Sequence, residues 1–197
     1  MNYPPLLPEI FDRLKSGYHI SPEDNALHGA LMDHCDEYVA YFGALGFVLV
    51  RHERDFFYFE PDADDAATER LAKIAVFSYI LVDDTANRGL PVEATLLTTT
   101  LALPDLPHLS LDSYRARLAQ VNIFDLGGLR DVVNHLKGLG WAKWSASDEF
   151  CLLRPFHRML DRCLELARQC GEQVDESSDG LPGGKTAEEK SGGTSHA

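Results

Sequence analysis

Long hydrophobic runs are missing from this chain of 197 residues. No apolar stretch reaches the about 20 residues that a membrane-spanning helix needs. The first eight residues, Met1 to Pro8, hold no basic region leading into an apolar stretch, so no secretory signal is expected. Cysteine is scarce. Cys35, Cys151, Cys163 and Cys170 form no Cys-x-x-Cys pair and no metal-finger spacing, and all four are expected to be reduced thiols of a cytoplasmic protein. Basic charge is short too: 18 Lys and Arg stand against 31 Asp and Glu, a net charge of −13. That balance argues against a protein that coats DNA with a basic surface. The last stretch, Gly171 to Ala197, has one Val, one Leu and no aromatic residue. It cannot bury enough apolar surface to offset its ordering entropy, and a disordered C-terminal tail is expected over 171–197.

What remains, about Pro5 to Cys170, has the patterning of helices and short hairpins. Ile10, Phe11 and Leu14 give a short amphipathic helix ending at Gly17. Ser21-Pro22-Glu23-Asp24 is a helix start, and a helical stretch with room for one break runs on to Ala44. Phe47 to Val50 and Phe56 to Phe59 read as strands, joined by His52 to Asp55 and stopped by Pro61. A longer helix is expected from Asp65 to Asp83. A Pro-rich connection, Leu101 to Pro107, precedes the second half. There, Tyr114 and Leu118 mark one helix. Leu126, Leu129, Val132, Val133 and Leu136 mark the next, capped by Asp125 and ended by Gly138 and Gly140. Strands Trp141 to Trp144 and Phe150 to Leu153 follow. Pro155 opens a final helix with Phe156, Met159, Leu160, Cys163, Leu164 and Leu166.

The halves repeat at an offset of 94 positions. Leu45-Gly46-Phe47 falls on Leu139-Gly140-Trp141, Asp55-Phe56 on Glu149-Phe150, Phe59 on Leu153 and Pro61 on Pro155. Upstream, Tyr38, Val39 and Phe42 fall on Val132, Val133 and Leu136. An isolated hairpin is marginal in water and must lie on its own helices. Helices followed by a packed hairpin is the winged-helix arrangement. The expected fold class is α+β, mainly α, with tandem winged-helix domains and β-hairpin wings. The expected division is a first winged helix over 1–62, linking helices and connection over 63–105, and a second winged helix over 106–170. Phe47 and Trp141, equivalent by the repeat, are expected fold anchors.

Several strings resemble the MksE family. They are Ile10-Phe11-Asp12-Arg13-Leu14, His19-Ile20-Ser21-Pro22-Glu23-Asp24, Tyr41-Phe42-Gly43-Ala44-Leu45-Gly46-Phe47, Phe57-Tyr58-Phe59, and Asp105-Leu106-Pro107-His108-Leu109 followed by Tyr114. MksE is a MukE-like, non-ATPase subunit of bacterial condensin-like complexes. The resemblance implies a tandem winged-helix subunit of the kite class that dimerises, binds a kleisin (MksF) and acts with an SMC-type ATPase (MksB). It implies a cytoplasmic, nucleoid-associated protein in chromosome organisation and segregation. With a nuclease partner (MksG), such a complex serves plasmid defence.

Acidity is unevenly distributed. Residues 1–105 hold 7 basic against 18 acidic side chains, while residues 106–170 hold 9 against 7. Winged helices usually meet DNA through the helix before the hairpin, and phosphate contacts come from Lys and Arg. In the first half that helix exposes Asp36 and Glu37, which repel phosphate. In the second half it turns Arg130, Asn134 and Lys137 outward. Lys143 lies on the next strand, Arg154 and Arg158 flank Pro155, and Arg115 and Arg117 lie on the preceding helix. These eight are the candidate contacts to double-stranded DNA, sequence-independent and weak without partners; the same charges also fit a solvated surface. The helix from Asp65 is apolar around much of its circumference. Leu71, Ile74, Phe77 and Leu81 are candidates for a homodimer seam, or equally for the centre of the body.

Other chemistry has less support. Gly183-Gly184-Lys185-Thr186 invites a phosphate-loop reading, but Gly180 is one position too close, Pro182 interrupts, and no strand precedes it. His28 and His34 are six apart and point to different sides of a helix, unlike metal ligands four apart. No paired acid and base suggests an enzyme, and no cofactor is expected. A stand-alone winged-helix transcription regulator is the alternative. It would need a base-reading basic helix and often a ligand domain.

Overall fold

The computed structural model describes residues 3–61, 69–163 and 165. The chain divides into two units, Met1–Cys163 and Leu164–Ala197, and every contact below lies within the first. The expected tail, Cys170, Leu164 and Leu166, and the expected helix start at Asp65 lie outside the described residues. Helices dominate, with two small antiparallel sheets, the mainly helical α+β class that the sequence predicts.

In the first half, α1 (Leu7–Lys15) forms because Leu7, Ile10 and Leu14 share one face, which is buried. Gly17, at φ +82°, ends the turn after it. A 3-10 turn, Pro22–Asp24, leads into α2 (Asn25–Asp33), and α3 (Cys35–Ala44) follows after a single break at His34. The Ser21 backbone N–H donates to the Asp24 carboxylate at 3.1 Å, so the turn starts where the sequence places it. Strands β1 (Leu49–His52) and β2 (Phe56–Phe59) pair antiparallel, with Leu49 opposite Phe59 and His52 opposite Phe56. β1 starts two residues later than expected. The Phe47 N–H is already used at the end of α3, donating to the Phe42 carbonyl at 2.9 Å.

Between the halves come α4 (Glu69–Asn87), which runs four residues past Asp83, and α5 (Val92–Thr98), which the sequence reading lacks. Leu101–Ala102 then forms β3, followed by 3-10 turns at Leu103–Asp105 and Pro107–Leu109. Helices α6 (Asp112–Ala119) and α7 (Leu126–Gly138) precede β4 (Ala142–Trp144) and β5 (Glu149–Leu152). A 3-10 turn, Arg154–Phe156, opens a helix over 157–163, α8. The Pro-rich connection is therefore more than a linker. Its β3 pairs with β5, Leu101 opposite Phe150, and makes a sheet of order β3-β5-β4. The first half has an abbreviated form of the same feature, a single bridge between Ile20 and Phe57 on β2.

The repeat holds down to individual hydrogen bonds. Gly46 and Gly140 both have positive φ, +85° and +73°. Phe47 N–H donates to Phe42 O at 2.9 Å, and Trp141 N–H to Leu136 O at 2.8 Å, the same pair 94 positions on. Each half has its own core. One gathers Ile10, Leu31, Tyr38, Phe42 and Phe57; the other gathers Phe77, Leu118, Val133, Leu136, Phe150 and Phe156. Trp141 is buried and Phe47 partly so. Val39 departs from the expected apolar face. It is 44% exposed, whereas its equivalent Val133 is fully buried. α4 packs along α7, while the principal neighbours of α3 are α2 and β1.

The first hairpin is covered on both faces. Phe59 meets Phe11 and Phe42 of its own half at ring distances of 6.1 and 5.0 Å. On the other face, Phe56 is fully buried and Tyr58 stacks with His19 at 5.1 Å. The segment Tyr18-His19 then reaches the second half, with His19 N–H donating to Leu139 O at 2.9 Å.

Candidate nucleic-acid and partner interface

α7 is positioned from both ends. Asp125 accepts the Gly128 N–H at 2.8 Å, the cap that the sequence predicts. Leu129, Val132, Val133 and Leu136 are fully buried, which turns Asn134 and Lys137 to solvent and leaves Arg130 half-buried. The candidate cations then separate into distinct settings.

Arg130 holds the second hairpin. Its guanidinium pairs with Asp148, donates to Ser147 O at 2.9 Å and lies 5.6 Å from the Trp144 ring centre. Asn134 belongs to the same clamp, since Trp144 Nε1–H donates to its Oδ1 at 2.9 Å. Lys137 and Lys143 are exposed and pair with no carboxylate among the described residues. Arg115 pairs with Asp112 on its own helix, and Arg117 lies 5.0 Å from the Tyr79 ring centre on α4. Arg154 and Arg158 face the first half. Arg154 approaches Asp55 at 3.9 Å. Arg158 lies 3.9 Å from the Tyr58 ring centre and donates to His19 Nε2 at 2.6 Å. Burial lowers the pKa of Arg158 from its ordinary value.

The two hairpin tips differ accordingly. In the first, Arg54 bonds Asp161 on α8 at 2.7 Å and approaches Glu93 on α5 at 4.0 Å. Such part-exposed pairs contribute at most about 1 kcal/mol each, but they fix the tip against the second half. In the second, Ser145, Ala146 and Ser147 are exposed. The face that combines an exposed hairpin tip with cations that pair with no carboxylate among the described residues is therefore the second one.

The candidate seam residues also separate. Ile74, Phe77 and Leu81 on α4 are 2%, 0% and 3% exposed within the chain's own core, while Leu71 is 43% exposed. Tyr79, on the same helix, is 40% exposed. His28 bonds Asp55 O at 3.1 Å and His34 bonds Glu37 at 3.1 Å, so each is engaged separately.

Sequence reasoning missed the junction between the halves. His19, Tyr58, Arg54 and Asp161 meet only in three dimensions, and no local spacing announces them. His19 is the most perturbed of these. Burial first and the Arg158 charge second push its pKa down to about 3. No sequence signal pointed to the junction: the repeat has glycine at both corners, and only the structure shows that a Cβ on Gly140 would lie 2.6 Å from His19 O while Gly46 has open space.

Among the described residues, no helix is long and apolar enough to cross a membrane. The family model described as condensin complex protein MksE matches residues 5–164, which takes in both halves of the repeat. Two curated relatives are each called chromosome partition protein MukE, from Vibrio vulnificus strains YJ016 and CMCP6. Each is 28% identical over 109 residues, covering 51% of this chain and 47% of the relative. The chain thus spans about half the length of the curated relatives it matches. Matched across both cores, both hairpins and the junction that joins them, the chain belongs to the MksE family of condensin complex proteins.

Proposed function

We propose that this chain is a non-catalytic subunit of a bacterial condensin-like SMC complex. Its two halves act as tandem winged helices, over 1–62 and 106–170, joined by the helices and connection of 63–105. It binds a kleisin of the MksF kind and through it works with an SMC ATPase of the MksB kind, in the cytoplasm and on the nucleoid. The reading covers chromosome organisation and segregation, and plasmid defence where a nuclease of the MksG kind is present. The observation that carries it is the family match over 5–164, which spans both copies of the repeat.

Two features support the finer parts. DNA contact falls to the second winged helix, through Lys137 and Lys143 beside the exposed hairpin tip. Two unpaired lysines make such contact weak and sequence-independent. Arg115, Arg117, Arg130, Asn134, Arg154 and Arg158 would add to the local field or hold the fold rather than lead the contact. Self-association through α4 falls to Leu71 and Tyr79, because Ile74, Phe77 and Leu81 serve the chain's own core. Affinity purification of the full chain from its own cells tests the function. Recovery of a kleisin and a long coiled-coil ATPase in stable proportion is expected; recovery of the chain alone contradicts the reading.

A further inference from the structure

We propose that the outer side of α3 and the start of β1 form a docking face for an amphipathic helix of another protein, one whose apolar stripe is bordered by Lys or Arg. The two copies of the repeat differ in what they leave exposed. Val39, Leu45 and Val48 are 44%, 53% and 57% exposed. Their equivalents are Val133, fully buried, Leu139, packed against the core, and Ala142, 2% exposed. The side chains are apolar in both halves, so the difference lies in what covers them.

In the second half, α4 lies along α7, and Tyr18-His19 closes on the Leu139-Gly140 corner. Among the described residues the same corner of the first half is open: a Cβ on Gly46, the equivalent of Gly140, would meet nothing within 4 Å. The backbone geometry of the two corners is the same, as the matched hydrogen bonds and positive φ values show. A surface built alike accepts a like cover: along α7 that cover is the helix α4, and at the Leu139-Gly140 corner it is the Tyr18-His19 segment.

Charge selects the occupant. Between Lys15 and Arg51 there is no Lys or Arg, and Asp33, Asp36 and Glu37 are exposed beside the apolar positions. A second copy of this face would set acid against acid, so self-pairing through it is disfavoured. A helix with a basic border complements it.

The choice of the kleisin as one probe rests on the proposed function; a second probe does not. The full chain is labelled at its Val and Leu methyl groups and titrated with a synthetic helical peptide bearing a Leu stripe edged by Lys, then with the same peptide edged by Glu. The Lys peptide is expected to shift the resonances of Val39, Leu45 and Val48, and the Glu peptide to bind at least tenfold more weakly. V39D/V48D, at exposed positions that leave the core untouched, removes the effect without changing the melting temperature. Shifts elsewhere, no shifts, or equal binding of the two peptides overturns the proposal. With the purified kleisin, V39D/V48D is expected to weaken binding at least tenfold. Unchanged affinity in that variant overturns the proposal, as does a wild-type dimer that V39D/V48D turns into monomer. A kleisin that fails to bind the wild-type chain counts against the proposed function alone.

Discussion

Arg158 donates to His19 Nε2 at 2.6 Å and so ties the last helix of the second half to the segment that leaves α1. Guanidinium has no acceptor, so Nε2 must be the acceptor and the imidazole is neutral. Its proton sits on Nδ1, which donates to Gly17 O at 3.1 Å. The junction between the halves therefore depends on an uncharged histidine facing a cation.

Acid should loosen this chain. His19 is pushed down to about 3 by burial and Arg158, and His108, buried on Phe77 O, down to about 4. Both folded values lie below the unfolded one of about 6.5. The unfolded chain then binds the extra protons, and stability is complete above that value and lost as pH falls through the window below it. At pH about 5 each histidine should cost on the order of 1–2 kcal/mol. Urea denaturation at pH 7.5 and 5 checks this. A lower midpoint at pH 5 is expected, with the drop reduced by His19→Gln; a pH-independent midpoint contradicts it.

The two glycine corners should respond differently to alanine. Both have positive φ, which costs an L residue about 1–2 kcal/mol. Gly140→Ala adds a collision, with its Cβ 2.6 Å from His19 O and 2.9 Å from the Tyr18 ring, whereas Gly46→Ala meets open space. Thermal melts should show a clearly larger loss for Gly140→Ala. Equal losses would mean that the halves do not meet at this corner.

On the second hairpin, charge and structure separate. Arg130→Ala removes the clamp on Asp148, Ser147 and Trp144 and should lower the melting temperature. Lys137→Glu with Lys143→Glu touches nothing packed. It should leave the melt within about 0.5 kcal/mol of wild type while weakening DNA binding by the assembled complex, with a shallower salt dependence. Unchanged DNA binding would remove these lysines from the interface.

On α4, Phe77→Ala should cost about 3–5 kcal/mol, as for a fully buried aromatic. Leu71→Lys, at a 43% exposed position, should cost less than Phe77→Ala and weaken self-association. Sedimentation of the full chain reads the second effect, and an unaltered dimer places the seam elsewhere.

Period and punctuation made much of the fold legible. The buried faces of α1 and α7 follow from apolar spacing, Asp125 from its capping chemistry, and the duplicated hairpins from Leu-Gly-aromatic and Pro in register. β3 escaped because two residues carry no periodicity; Leu101-Ala102 is a strand only because β5 offers it an edge. The seam candidates on α4 illustrate a different limit. An all-round apolar helix marks burial, and the sequence does not say whether its own chain or another does the burying. Arg158 shows the same for charge. Its position beside Pro155 was readable, but its ring partner Tyr58 lies a hundred residues earlier in the chain. Val39 looked like core by analogy with Val133, but among the described residues the principal neighbours of α3 are α2 and β1, with no helix lying along it as α4 lies along α7.

Reconstitution decides whether the chain is part of an SMC assembly. The purified full-length chain is mixed with the kleisin and the coiled-coil ATPase from the same organism, and the masses of the species in solution are measured. A discrete complex containing all three is predicted, with the chain lost from it when the kleisin is left out. Three separate species at micromolar concentration would contradict the account.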